Sequence, residues 1–146
     1  LFPYTTLFRS EGSAARPIRL DSFGSMTYAG LLSLIYANVS AEDPRVEAAK
    51  EWARRHWTLE ENPGRGAEGL YYFYNIMIKC LDAFGEERFA VSAGRTVEWR
   101  KEFVEKLLSL QREDGSWVNA ANRFWEGDSV LVTSYSVLAL RKVLGH

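Results

Sequence analysis

The stretch LYYFYNIMIKCLDAF, residues Leu70–Phe84, is apolar on almost every face of the helix that it predicts. At 15 residues it gives about four helical turns, and Gly85 follows as a natural stop. A helix that is apolar all round has no face for water, so other elements must cover it on all sides. The stretch therefore predicts a buried helix at the centre of a layered helical structure.

Two kinds of helix alternate along the chain. The segments Ser25–Val39 and Ser129–Leu144 are also apolar on nearly every face, whereas Pro44–Trp57 and Val97–Leu110 are amphipathic. Asp43 is a suitable N-cap for the second helix. An amphipathic helix can cover a buried one with its apolar stripe and turn its charged side to water. The alternation predicts an all-α fold, a fragment of an α/α toroid in which inner and outer helices alternate.

The three buried helices resemble one another in sequence. Thr27–Leu34 aligns with Thr133–Leu140, and Tyr74–Leu81 follows the same pattern more loosely. The repeat unit is then roughly 50 residues, within the range of helical repeats. Because one unit cannot bury its own inner face, we expect each unit to depend on its neighbours.

Composition excludes several classes of protein. The 146 residues carry 18 basic and 19 acidic side chains, a formal net charge of −1, which gives no sign of nucleic-acid binding. Five Trp, seven Tyr and eight Phe suffice for a large core or an aromatic cavity. A single cysteine rules out a disulfide framework, and no apolar run is long enough for a transmembrane helix. The cellular compartment is left open.

The first ten residues, LFPYTTLFRS, fit neither a helix start nor a secretory signal. They resemble, residue for residue, the translation of a short-read sequencing adapter. We therefore interpret Leu1–Ser10 as an artefact and residues 11–146 as a partial domain. On this interpretation the N-terminal part of the same chain is missing, and we expect the domain to pack against it.

A turn follows the fourth helix, with Gln111, Gly115 and Trp117 in the pattern Gln-x₃-Gly-x-Trp. Glycine permits a tight turn, and the indole can pack beneath it. The turn resembles the QW motif of squalene–hopene cyclases and of the prenyltransferase and squalene oxidase repeat family, where it is structural and joins outer helices. Further stretches also resemble bacterial squalene-cyclase-like proteins: Asp21–Gly30, Arg54–Gly64, Gly69–Tyr72, Trp125–Asp128 and Leu131–Thr133.

The resemblance implies that the chain is the C-terminal portion of a terpene cyclase, an isomerase that protonates and folds a hydrophobic polyprenyl substrate without a metal or another cofactor. The acid of that family belongs to an Asp-x-Asp-Asp motif, which this sequence lacks. The catalytic residues are therefore unknown. The alternative is a non-catalytic α/α-repeat protein that binds a lipid or a protein partner. A carbohydrate-active enzyme is disfavoured because no convincing pair of carboxylates is present.

Aromatic residues of the third helix are the candidate substrate contacts. Tyr71, Tyr72 and Tyr74 surround Phe73, and aromatic faces stabilise positive charge of the kind that forms during terpene cyclisation. Four consecutive aromatics cannot all point one way along a helix, so we expect about two of them to line a cavity. The alternative is that they pack in the core between the two layers.

Few polar residues are candidates for chemistry. Asp128 is expected to be the N-cap of the fifth helix, with Glu126 a possible carboxylate at a cavity mouth. Glu60 and Glu61 lie in a polar loop and are expected to be solvated. The amine of Lys79 is expected to reach water from an apolar helix.

Metal binding is not expected. His56 lies between Trp52 and Trp57 and is expected to be packed or partly exposed. Cys80 is the only thiol and lacks a matching Asp-x-Cys pattern, so the sequence does not predict a zinc site.

Overall fold

A computed structural model describes residues 22–145, with the backbone alone at residue 93. The fold of this part is all-α. Its five helices are α1 (Gly24–Tyr36), α2 (Pro44–Arg55), α3 (Leu70–Phe84), α4 (Trp99–Ser109) and α5 (Ser129–Val143). A short hairpin of β1 (Phe89–Ala90) and β2 (Thr96–Val97) connects α3 to α4. The interpretation of Leu1–Ser10 concerns residues outside the described range.

The apolar helices lie side by side in the order α1, α3, α5, which we call the central row. The predicted bounds of α3 are confirmed, and Gly85 ends it at φ +71°, a left-handed conformation that favours glycine. Asp43 and Asp128 are confirmed as N-caps, because their carboxylates accept hydrogen bonds from backbone N–H groups in the first turns of α2 and α5.

The flanking helices α2 and α4 cover part of the central row. Helix α2 packs against α1 and α4 packs against α5. Phe103 of α4 also places its ring 5.5 Å from that of Tyr74 in α3, edge to face. The amphipathic helices therefore shield the apolar ones, as their sequence pattern predicts.

The expectation that all three apolar helices are covered on all sides is wrong for the described residues. Helix α3 is buried along its length because it lies between two neighbours. Helices α1 and α5 have a central-row neighbour on one side only, so Tyr36 and Val130 are 73% and 75% exposed. Further apolar side chains of these two helices are also exposed: Met26, Val137 and Leu138.

Three predicted helix ends differ from the observed ones by two or more residues. Helix α4 begins at Trp99 and not at Val97, because Val97 pairs with Phe89 in the hairpin and both side chains are buried there. Helix α1 stops at Tyr36, since Asn38 takes a left-handed conformation with φ 55°. Helix α2 ends at Arg55. Within residues 22–145, none of the helices combines the length and the hydropathy that crossing a bilayer requires.

Candidate functional site: an aromatic cavity at one end of the central row

A cavity of about 320 Å³ lies where the N-terminal turns of α1 and α3 meet the side of α5. We call this end of the central row the cavity end. The lining is mostly apolar, from the residues Phe23, Met26, Gly69, Tyr72, Phe124 and Tyr135. Four polar residues complete it: Ser25, Asn62, Arg65 and Glu126. A concave apolar site with a few polar groups is the usual form of a small-molecule site.

Glu126 is a fully buried carboxylate, 0% exposed, that caps α3 from a distant part of the chain. One of its oxygens accepts a hydrogen bond from the backbone N–H of Tyr72 at 2.8 Å, and the other accepts from the side-chain amide of Asn119 at 2.7 Å. Gly69 is the N-cap of α3 and has no side chain to satisfy the first N–H groups. Glu126 supplies the missing acceptor, and its negative charge also suits the positive end of the helix dipole.

Asn62 performs the same task for α1. Its side-chain oxygen accepts from the backbone N–H of Ser25 at 3.0 Å, and its amide donates to the carbonyl of Glu68 at 3.0 Å. Phe23 is the N-cap of α1 and offers no polar side chain. Gly24 fits beneath Asn62, where a Cβ atom would lie 2.8 Å from the asparagine oxygen.

Both caps come from the segment that precedes the next helix of the central row. Asn62 precedes α3 and caps α1, while Glu126 precedes α5 and caps α3. Each segment thus joins two successive central helices at the cavity end. Sequence analysis missed the role of Asn62. The sequence signals a distant acceptor only at α3, where Gly69 has no side chain to cap the helix.

The structure separates the three tyrosines predicted to line a cavity. Tyr72 lines it, and its ring lies 6.4 Å from that of Tyr135, edge to face. Tyr71 and Tyr74 are buried in the core, where the Tyr74 hydroxyl donates to the carbonyl of Leu59. Burial raises the pKa of Tyr71 to about 12 and raises that of Tyr74 as well. Substrate contact by these residues stays a prediction, with Tyr72 the one placed for it.

The turn after α4 ties that helix to α5. The Trp117 indole is 3% exposed, and its N–H donates to the carbonyl of Leu107 in the last turn of α4 at 2.8 Å. The backbone N–H of Trp117 donates to the hydroxyl of Thr133 in α5 at 3.1 Å. Gln111 donates to the carbonyl of Gly115, whose φ of +81° requires glycine. These contacts connect the end of α4, the turn and α5.

The remaining candidates lie away from the cavity. His56 stacks on Trp52 with ring centroids 4.2 Å apart. Glu60 is exposed and pairs with Lys106 of α4. Cys80 is buried, and burial raises the pKa of its thiol to about 12, which makes it unreactive. Within residues 22–145, no group of three or more His, Cys, Asp or Glu side chains is placed to hold a metal ion.

The carboxylate at the cavity is held by two hydrogen bonds. Each oxygen of Glu126 accepts one, from the backbone N–H of Tyr72 and from the side-chain amide of Asn119. The aromatic walls can enclose an apolar ligand. Compared with known protein families, with characterised proteins and with solved structures, the chain has no match.

Proposed function

We propose that this chain forms part of a squalene-cyclase-like α/α toroid that takes up a polyprenyl chain or a similar lipid. Two features support the proposal. Three apolar helices lie in a row with amphipathic helices packed on them, which is how helix pairs stack in such folds. The turn at Trp117 packs its indole against α4, in keeping with the QW resemblance, although it joins this outer helix to the inner helix α5 and not to another outer helix.

The aromatic cavity is the single observation on which the proposed ligand class rests. Phe23, Tyr72, Phe124 and Tyr135 line one space at the end of the central row. Such walls favour a long hydrocarbon through apolar burial and also stabilise positive charge that develops on it. In a terpene cyclase these residues would bind and guide the chain, and the acid would come from a residue other than Glu126.

A second candidate is a non-catalytic lipid-binding protein. It is favoured by the hydrogen bonds of Glu126, which occupy both oxygens of the carboxylate nearest to the cavity. A protein that only binds a lipid needs no proton donor. The hydrogen-bonded carboxylate of Glu126 is therefore compatible with this function.

Binding is tested by titrating the purified chain with geranylgeraniol and recording the heat of binding. We expect saturable binding that Tyr72→Ala weakens about tenfold, because the substitution removes one wall of the cavity. The matched control is Tyr36→Ala on α1, whose side chain is 73% exposed and distant from the cavity lining. Absence of saturable binding, or equal loss in both variants, would contradict the proposal.

Catalysis is tested by incubating the full-length protein, expressed from its intact gene, with squalene and analysing the products by mass spectrometry. A cyclic product supports the cyclase. Squalene that binds and is recovered unchanged supports the non-catalytic alternative.

A further inference from the structure

The cavity combines aromatic rings with a buried carboxylate that has no cationic partner among residues 22–145. The hydrogen-bond partners of Glu126 are a backbone N–H and a neutral amide. Among the ion pairs of residues 22–145, none includes Glu126. The dipole of α3 offers only about half an elementary charge at its N-terminus. Within the described residues, a negative charge on Glu126 would therefore be only partly compensated.

Two rings at the cavity already face cations. The Arg65 guanidinium lies 4.6 Å from the centroid of Phe23, and the Arg123 guanidinium lies 5.6 Å from that of Phe124. In the described part of the chain, no cation lies over Tyr72 or Tyr135. These two rings share the cavity with Glu126 and are the ones left for a ligand.

We propose that the cavity selects an amphiphile with an organic cation as its head group, such as a quaternary ammonium, held against Tyr72 and Tyr135 beside Glu126. A quaternary ammonium suits this place because it attracts ring faces and needs no hydrogen-bond acceptor. The inference rests on the proposed function, since the same cavity would hold the apolar tail. To the proposed function it adds the prediction that the preferred ligand carries a positive charge.

The other charges near the cavity weaken this preference without reversing it. Arg65 and Arg123 both lie in ion-pair distance of Glu68, at 3.9 and 3.3 Å. Their side chains are 37% and 57% exposed, so water and salt screen them. Glu126 is buried, where the effective dielectric constant is lower and its field is stronger at short range.

The decisive experiment compares three ligands with the same tail on the unmodified chain: octyltrimethylammonium, octan-1-ol and octanoate. Isothermal titration calorimetry at low ionic strength gives the three dissociation constants. We expect the ammonium to bind about tenfold more tightly than the alcohol, and octanoate to bind most weakly. Equal affinities for ammonium and alcohol, or tightest binding of octanoate, would overturn the inference.

Two variants locate the preference within the cavity. Tyr135→Leu keeps an apolar wall and removes an aromatic ring, so we expect the ratio of ammonium to alcohol affinity to fall below about threefold. Glu126→Gln should lower the ratio in the same way, with its unfolding midpoint measured alongside. The matched control is Tyr36→Leu, which should leave the ratio unchanged. An unchanged ratio in Tyr135→Leu overturns the placement of the head group.

The outcomes separate this inference from the proposed function. Saturable binding of geranylgeraniol without any preference for the ammonium leaves the proposed function in place and overturns the inference. Tight binding of the ammonium with no binding of geranylgeraniol supports a cation site and contradicts a polyprenyl site.

Discussion

The two ends of helix α3 are held by carboxylates in opposite surroundings. At the cavity end, Glu126 is fully buried and accepts hydrogen bonds from uncharged donors. At the other end, Asp82 is partly exposed and accepts from Lys142 of α5 and Arg100 of α4, each at 2.7 Å. Both carboxylates join neighbouring helices to α3, but water reaches only the second.

The difference in exposure decides how much each end contributes to stability. Exposed ion pairs contribute about 1 kcal/mol or less, because water solvates the separated charges almost as well. Buried donors that lose their acceptor cost about 1–3 kcal/mol each, because no water replaces it. We therefore expect substitutions at the cavity end to lower the free energy of unfolding more than substitutions around Asp82.

The largest effect is expected for Glu126→Ala. It leaves the backbone N–H of Tyr72 and one N–H of the Asn119 amide without acceptors in the interior, which should lower the free energy of unfolding by about 3 kcal/mol. Urea unfolding followed by far-UV circular dichroism measures it.

Glu126→Gln is the matched control, since it keeps the size of the side chain and one acceptor oxygen. We expect the free energy of unfolding to fall about half as much as in Glu126→Ala. The glutamine oxygen still accepts one hydrogen bond, but the new NH₂ group faces an N–H donor. A loss below about 1 kcal/mol in Glu126→Ala would show that the two ends of α3 are equivalent.

Gly24→Ala tests the other cap at the cavity end. A Cβ atom at this position would lie 2.6 Å from Pro63 and 2.9 Å from the Phe73 ring, so Asn62 and its loop must shift. We expect a loss of about 2 kcal/mol by urea unfolding. The control is Gly30→Ala on the same helix, where no atom lies within 4 Å of the new Cβ, and alanine should stabilise by about 0.5–1 kcal/mol. Equal effects of the two substitutions would contradict tight packing at Gly24.

The sequence was sufficient to predict most helices because the relevant signals are local. Asp43 and Asp128 lie next to the helices that they cap, and Gly85 directly follows the helix that it ends. The alternation of apolar and amphipathic helices also predicted which helices pack in the central row. Predicting these features requires only the periodicity and the end residues of each segment.

The cavity could not be predicted in this way because its polar groups act across long separations. Asn62 caps a helix that begins 38 residues earlier, and Glu126 bonds to Tyr72, 54 residues away. Helical periodicity also does not determine which of Tyr71, Tyr72 and Tyr74 faces a cavity, because the answer depends on where α5 and the loops lie. Only Gly69, which offers no side-chain acceptor before α3, signalled that a distant partner was needed.

Trp117→Phe is expected to have a moderate effect. The substitution keeps an aromatic ring but removes the N–H that donates to the Leu107 carbonyl at the end of α4, a loss of about 1.5 kcal/mol. The control is Trp125→Phe, because Trp125 is 78% exposed and its substitution should change stability by less than about 0.5 kcal/mol. Thermal unfolding of both variants measures the difference, and equal midpoints would contradict a structural role for the turn.

The smallest effect is expected for Asp82→Asn, and its pH dependence distinguishes it from the substitutions at the cavity end. Hydrogen bonds from Lys142 and Arg100 hold the pKa of Asp82 below its usual value in the folded chain. Because the folded pKa is lowered, the carboxylate stabilises the fold above the unfolded value of about 3.9, and this contribution disappears as the pH falls through the folded pKa. At pH 7, urea unfolding should therefore give a free energy of unfolding about 1 kcal/mol lower for Asp82→Asn than for the unmodified chain. This difference in free energy should shrink steadily as the pH falls below about 4. A difference that stays constant down to pH of about 2.5 would mean that Asp82 acts through packing and not through its charge.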